Sequence, residues 1–157
     1  MHMPSGKVHL RIEMIVFIGL IGAGAYLLER GLVPAVYIGL FLASYLFSSL
    51  FLSPDLDLRG SDPYRRWGPI RVLWRPYAHF FRHRALSHHI IYGPLTRIAY
   101  FGGLISLLFI GATYLTNWHV RMPIPRWPMI ASILCGLYLP NQVHTLADAL
   151  WSHHHRR

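Results

Sequence analysis

The chain has 157 residues, enough for one domain and not comfortably two; 54% of them are hydrophobic and only 13% charged. A soluble domain carries about 25% charged residues, and here long stretches carry none, which argues against an ordinary soluble globule. The net charge of +9 leaves two kinds of anionic partner, nucleic acid or a membrane leaflet, and a single cysteine excludes an internal disulfide or a four-cysteine zinc site.

Taken in order, the chain opens with a short polar segment carrying Lys7, His9 and Arg11. Met14 to Leu28 is uncharged and, with its flanks, just long enough to cross a bilayer, which takes about 20 residues. Gly19 and Ala23 have the small-xxx-small spacing that lets helices approach closely. A basic start before an apolar run also fits a cleaved leader, but three further apolar runs make a first transmembrane span the better reading. Glu29-Arg30-Gly31 forms a turn, and Leu32 to Leu52 is a second span, so the two should pair as an antiparallel helical hairpin. That span stops at Ser53-Pro54, and Asp55 and Asp57 follow at once, at a membrane surface.

Residues 59–97 form one long basic connection, in which eight arginines alternate with Tyr64, Trp67, Trp74 and Tyr77. Interleaved arginines and rings suit the headgroup level, and residues 72–81 fit an interfacial helix limited by Pro69 and Pro76. Ile98 to Trp118 is a third span. Met129 begins a fourth, interrupted by Pro140, Asn141, Gln142, His144 and Asp148; Pro140 should kink it. Polar groups at that depth are costly and point to function. Cys135, inside this run, reads as a small buried hydrophobe.

The expected architecture is therefore all-α, a polytopic membrane protein of about four transmembrane helices and a long basic cytoplasmic loop, with residues 1–157 as one membrane-embedded domain. Twelve of the fifteen lysines and arginines lie on the N-terminus, the long loop and the C-terminus, against three on the opposite turns. This bias puts both termini and the loop in the cytoplasm. It also brings His9, Asp55, Asp57, the His83 cluster, His144 and Asp148 to one face.

Imidazoles and carboxylates gathered in this way are the usual ligands of zinc, manganese or iron. Asp55 and Asp57 close a helix, where the dipole disfavours acids, so a role beside a cation explains them better than a solvated stop. His83 and His88 lie about 140° apart on a continuous helix; a break near Ser87 would let them converge, and otherwise they join a phosphate-facing basic patch. His144 and Asp148 share a helical face, either as two ligands or as an imidazole oriented by its carboxylate. His9 and Glu13 have the same spacing, with Glu13 the weakest of the set, and His89 is also open as a ligand.

Met3-Pro-Ser-Gly-Lys-Val-His9, Leu52-Ser-Pro-Asp-Leu-Asp-Leu58, Arg66-Trp-Gly-Pro69 and His83-Arg-Ala-Leu-Ser-His-His89 together resemble a family of uncharacterised bacterial metal-binding membrane proteins. That family is similar to the LexA-regulated, inner-membrane-associated metal-dependent hydrolases. The resemblance covers nearly the whole chain and implies a metal site at the bacterial inner membrane. The order of His, Asp, His and His-x-x-x-Asp also resembles, more loosely, the ligand order of zinc-dependent phospholipase C. This chain lacks that enzyme's additional His and His-x-x-x-Glu unless His9 and Glu13 substitute.

The function expected is a metal-dependent hydrolase at the cytoplasmic membrane face. His9, Asp55, His83, His88, His144 and Asp148 would hold one or two divalent ions, zinc first and manganese or iron next. Asp57 would be a bridging ligand or general base, and Arg84 would hold the anionic group of a phosphoester or lipid-linked substrate. Membrane lipid accounts for the basic loop without nucleic acid. The alternatives are a non-catalytic metal-binding membrane scaffold and a membrane di-iron hydroxylase or desaturase, suggested by His83-x-x-x-x-His88-His89.

Overall fold

The computed structural model describes residues 6–58, 60–80, 89–116 and 125–154, all of it helix, turn or loop without a strand among the described residues. Helix α1 spans Gly6–Glu29 and α2 spans Ala35–Phe51. A 3-10 turn follows at Pro54–Asp57, then α3 (Asp62–Arg66), a longer 3-10 segment (Gly68–Trp74) and α4 (Arg75–Phe80). Helix α5 spans Tyr92–Thr116 and α6 spans Trp127–His154.

Among the described residues, α1 and α5 are long and apolar enough to cross a bilayer. Helix α2 is shorter than the 21-residue run from Leu32 to Leu52, because Gly31 takes φ +64° and Pro34 sets the helix start. Helix α5 begins at Tyr92 rather than Ile98, so Arg97 falls inside it. Helix α6 continues through Pro140 for 28 residues.

Helix α2 packs chiefly against α6, with α1 against both, and α5 touches α6 as well as α2 through Phe101 and Phe47. The close approach is made at Gly136, where an added Cβ would collide with the Phe41 carbonyl and lie 2.8 Å from the Ser44 Cβ. Gly24 plays the same part against Ile38, at 2.8 Å. The expected contact at Gly19 is absent: a Cβ there meets nothing within 4 Å. Polar bonds reinforce the interface. Ser48 Oγ donates to the Leu137 carbonyl at 2.6 Å, and Asn141 Nδ2 reaches Ser48 Oγ at 3.3 Å.

The basic connection folds differently from a headgroup-level anchor. Tyr64, Trp74 and Tyr77 are buried with Leu52 and Leu56, and Phe47, Trp67, Tyr100 and Phe101 pack around them. Over the described residues 72–80 the chain is not one continuous helix: the 3-10 segment ends at Trp74 and α4 is six residues long. Prolines at 69 and 76 break the helical hydrogen-bond ladder, and the rings of Trp67, Tyr77 and Tyr100 pack against Trp74 with centroids 5.2, 5.8 and 5.4 Å away. Cys135 is exposed rather than buried, because it lies along an apolar hollow of about 340 Å³ between α1, α2 and the start of α6.

The connection also closes the end of α2. Arg66 donates to the Leu50 carbonyl at 2.9 Å, Trp67 Nε1 to Phe51 at 3.0 Å and Arg97 to Leu52 at 3.0 Å. Those carbonyls have no intrahelical partners, so three side chains distant in sequence fix where the turn bearing Asp55 and Asp57 begins.

Candidate metal centre

The first turns of α1 and the second half of α6 meet at the end of the bundle nearest the Pro54–Asp57 turn. His9 from α1 and His144 from α6 are both buried, and their rings stack with centroids 3.9 Å apart and planes 19° apart. Asp148, one turn beyond His144, reaches both. Its Oδ1 lies 3.0 Å from His9 Nε2 and its Oδ2 lies 3.8 Å from His144 Nε2. The three ligand atoms all lie within 4.8 Å of one another.

These distances suit a cation. Ligand atoms about 2.0–2.1 Å from a tetrahedral zinc lie about 3.4 Å apart, and the 3.0 and 3.8 Å separations bracket that value. Two imidazoles and one carboxylate are also the protein ligands of open zinc sites and of the iron facial triad.

Glu13 completes the arrangement from behind. It is 2% exposed, and its Oε1 lies 3.1 Å from His144 Nδ1. A carboxylate accepting from Nδ1–H fixes the tautomer and leaves the Nε2 lone pair for a metal. Tyr45 in turn donates to the Glu13 backbone carbonyl at 3.1 Å, tying this turn of α1 to α2. Sequence spacing marked Glu13 as the weakest candidate; its importance comes from a partner 131 residues away, which local spacing cannot show.

A small cavity of about 10 Å³ adjoins the imidazoles, bordered by Glu13, Ser49, Ser53, Asp55, Asp62 and Arg66 as well as His9 and His144. Asp55 lines the cavity, with its Oδ2 3.5 Å from the position of a Cβ on Gly6. Asp57 lies near the fully buried Arg97 and Tyr77, and Arg97 is also within the field of Asp55. Burial pushes the Tyr77 phenol above its usual 10.0, while Arg97 and a 3.2 Å hydrogen bond with Thr96 pull it the other way.

Residues 81–88 lie outside the described residues, so His83, Arg84 and His88 have no described position. His89 is described, and it caps a helix: its exposed Nδ1 accepts from the amides of Ile91 and Tyr92, at 3.2 and 3.3 Å.

Two buried imidazoles and a partly exposed aspartate, backed by a buried carboxylate, are a metal-site geometry, and comparison with known proteins agrees. The chain belongs to the family described as "Uncharacterized metal-binding protein (DUF2227)". The match covers residues 4–157. The chain is also 44% identical over 69 residues to an uncharacterized protein of Aquifex aeolicus (strain VF5), a match covering 44% of this chain and 49% of that protein. It thus spans about half the length of that curated relative. No solved structure matches. Within this metal-binding family, His9, His144 and Asp148 form the donor set that the described geometry offers.

Proposed function

We propose that this member of the DUF2227 family is a metal-dependent hydrolase working at the cytoplasmic face of the bacterial inner membrane, on a phosphoester or lipid-linked substrate. The observation that carries the proposal is the three-donor cluster of His9, His144 and Asp148 with Glu13 behind it. Three protein ligands leave a coordination position open, the mark of a catalytic rather than a structural zinc site. The resemblance to the LexA-regulated inner-membrane hydrolases points the same way.

The chain's own residues divide the work. His9, His144 and Asp148 would hold the ion, zinc first and manganese or iron next, and Glu13 orients His144. When bound, such an ion lowers the pKa of a coordinated water and polarises an attacked oxygen. His83 and His88 would approach from the connection. Gln142 and Tyr138 on α6 donate to the Ile90 carbonyl at 2.6 and 3.1 Å, which fastens the start of α5 to α6. Arg84 would hold the anionic group of the substrate. Asp57, beside Arg97 and Tyr77, is better supported as a brace for the turn than as a base.

A second reading, a non-catalytic ion that fastens α1 to α6, is favoured by the burial of both imidazoles. One experiment separates the two. Detergent-purified protein is analysed for metal by mass spectrometry, then tested for phosphomonoester and phospholipid hydrolysis, beside a His144→Ala, Asp148→Ala variant. The proposal expects near-stoichiometric metal and hydrolysis, both lost in the variant. Metal without hydrolysis of either substrate class leaves the fastener, and an absence of metal sinks both readings.

A further inference from the structure

The 10 Å³ cavity beside His144 has a chemistry of its own. The cluster holds His144 by two different edges. Nε2 faces Asp148, which does not border the cavity, whereas Nδ1 faces Glu13, which does. Glu13 uses only one oxygen on the imidazole. Among the described residues, its Oε2 is buried and meets no hydrogen-bond partner, and the same holds for Ser49 Oγ. Glu13 and Ser49 are each 2% exposed, and both border this cavity. A buried carboxylate oxygen left without a partner is costly. That carboxylate oxygen and the Ser49 hydroxyl, both around one small space, therefore call for an occupant that both can contact.

Three kinds of occupant fit electrostatically different walls. An anion is excluded by Glu13, Asp55 and Asp62. An apolar group is excluded by the two orphaned oxygens. A cation or a water remains, since about 10 Å³ is near the least that holds one water. Charge favours the cation: three carboxylates border the cavity against one guanidinium, that of Arg66. Arg66 and Asp62 are exposed at the rim, and Arg66 spends one donor on the Leu50 carbonyl at 2.9 Å.

We propose that Glu13 Oε2, Ser49 Oγ and the Asp55 carboxylate form a second cation position, distinct from the His9–His144–Asp148 cluster, which takes a hard divalent ion such as Mn²⁺ or Mg²⁺. The donors are all oxygens, which select hard ions, whereas the neighbouring cluster has two imidazoles and selects zinc or iron. Glu13 is common to both, with one oxygen orienting His144 and the other binding the hard ion. This deepens the metal reading above but does not depend on hydrolysis. It accounts for the buried Glu13 Oε2 and Ser49 Oγ that meet no hydrogen-bond partner among the described residues.

The test is Mn²⁺ titration of the full chain in detergent, followed by electron paramagnetic resonance with zinc already present at saturation. The native protein should bind one Mn²⁺ beyond its zinc. Ser49→Ala and Asp55→Asn should each weaken Mn²⁺ binding by about tenfold or more and leave zinc content unchanged. Ser49→Ala removes only a hydroxyl, so it keeps the test decisive where Asp55→Asn fails to fold. No Mn²⁺ binding up to about 1 mM, the weak end for such sites, would overturn the proposal and leave a buried water there. Equal Mn²⁺ binding by the variants would also overturn it, as would complete displacement of Mn²⁺ by zinc. Mn²⁺ binding that depends on Ser49 in a protein that takes no zinc would uphold this position and sink the histidine cluster instead.

Discussion

Glu13 is the residue on which the candidate centre turns. Its Oε1 orients His144 at 3.1 Å, and removing that contact leaves the imidazole free to rotate or change tautomer. Glu13→Gln should lower zinc affinity about 10- to 100-fold while the fold persists, as measured by chelator competition. An unchanged affinity would mean that His144 is held by its ring stack alone. His9, His144 and Asp148 were legible in the sequence because each has chemistry of its own, and because helical spacing aligns the last two. Glu13 was legible only as the weakest candidate, by its spacing from His9, and Ser49 was not legible. Their roles arise where α1, α2 and α6 meet, and a serine in an apolar run looks the same whether it faces lipid or an ion.

At the scale of elements, the C-terminus of α2 sets the site. Arg97 is 1% exposed; it donates to the Gly93 and Leu52 carbonyls at 3.0 Å each and faces Asp55 and Asp57. Arg97→Ala would strand a carbonyl and two carboxylates, and should cost about 3–5 kcal/mol in thermal or denaturant unfolding. Arg97→Lys should recover only part of this, because an ammonium cannot fork to both carbonyls. Gly136→Ala should splay α2 from α6 at a cost of about 1–3 kcal/mol. Gly19→Ala, at a position with nothing within 4 Å, should be silent. Tyr77 adds a pH dependence. Its raised phenol keeps its proton when folded, so its contribution is intact below the ordinary value of 10.0 and is lost as pH rises further. Tyr77→Phe should flatten that alkaline decline. The helices themselves were legible from apolar runs. The aromatic packing of the connection was not, because rings alternating with arginines have the same pattern whether they lie in a headgroup layer or fold onto each other.

For the whole molecule, the position of the centre follows from counting along the helices. His9 lies in the first turn of α1, and His144 lies about 26 Å along α6 from Trp127, at about 1.5 Å per residue. The two helices therefore run antiparallel, and the polar cluster gathers at one end, while the apolar hollow bordered by Leu27, Val33 and Ala131 lies toward the other. Helix α2, at 17 residues, is only about 25 Å long, short of a hydrocarbon core of about 30 Å. We expect the chain to stay in the membrane after alkaline carbonate washing. Reporter fusions should place both termini in the cytoplasm and the Gly31 turn outside. A cytoplasmic Gly31 turn would remove the first hairpin from the membrane and leave α1 as a helix lying on the surface. Release by carbonate would go further, making the apolar faces of α1 and α5 a contact between protein copies rather than with lipid.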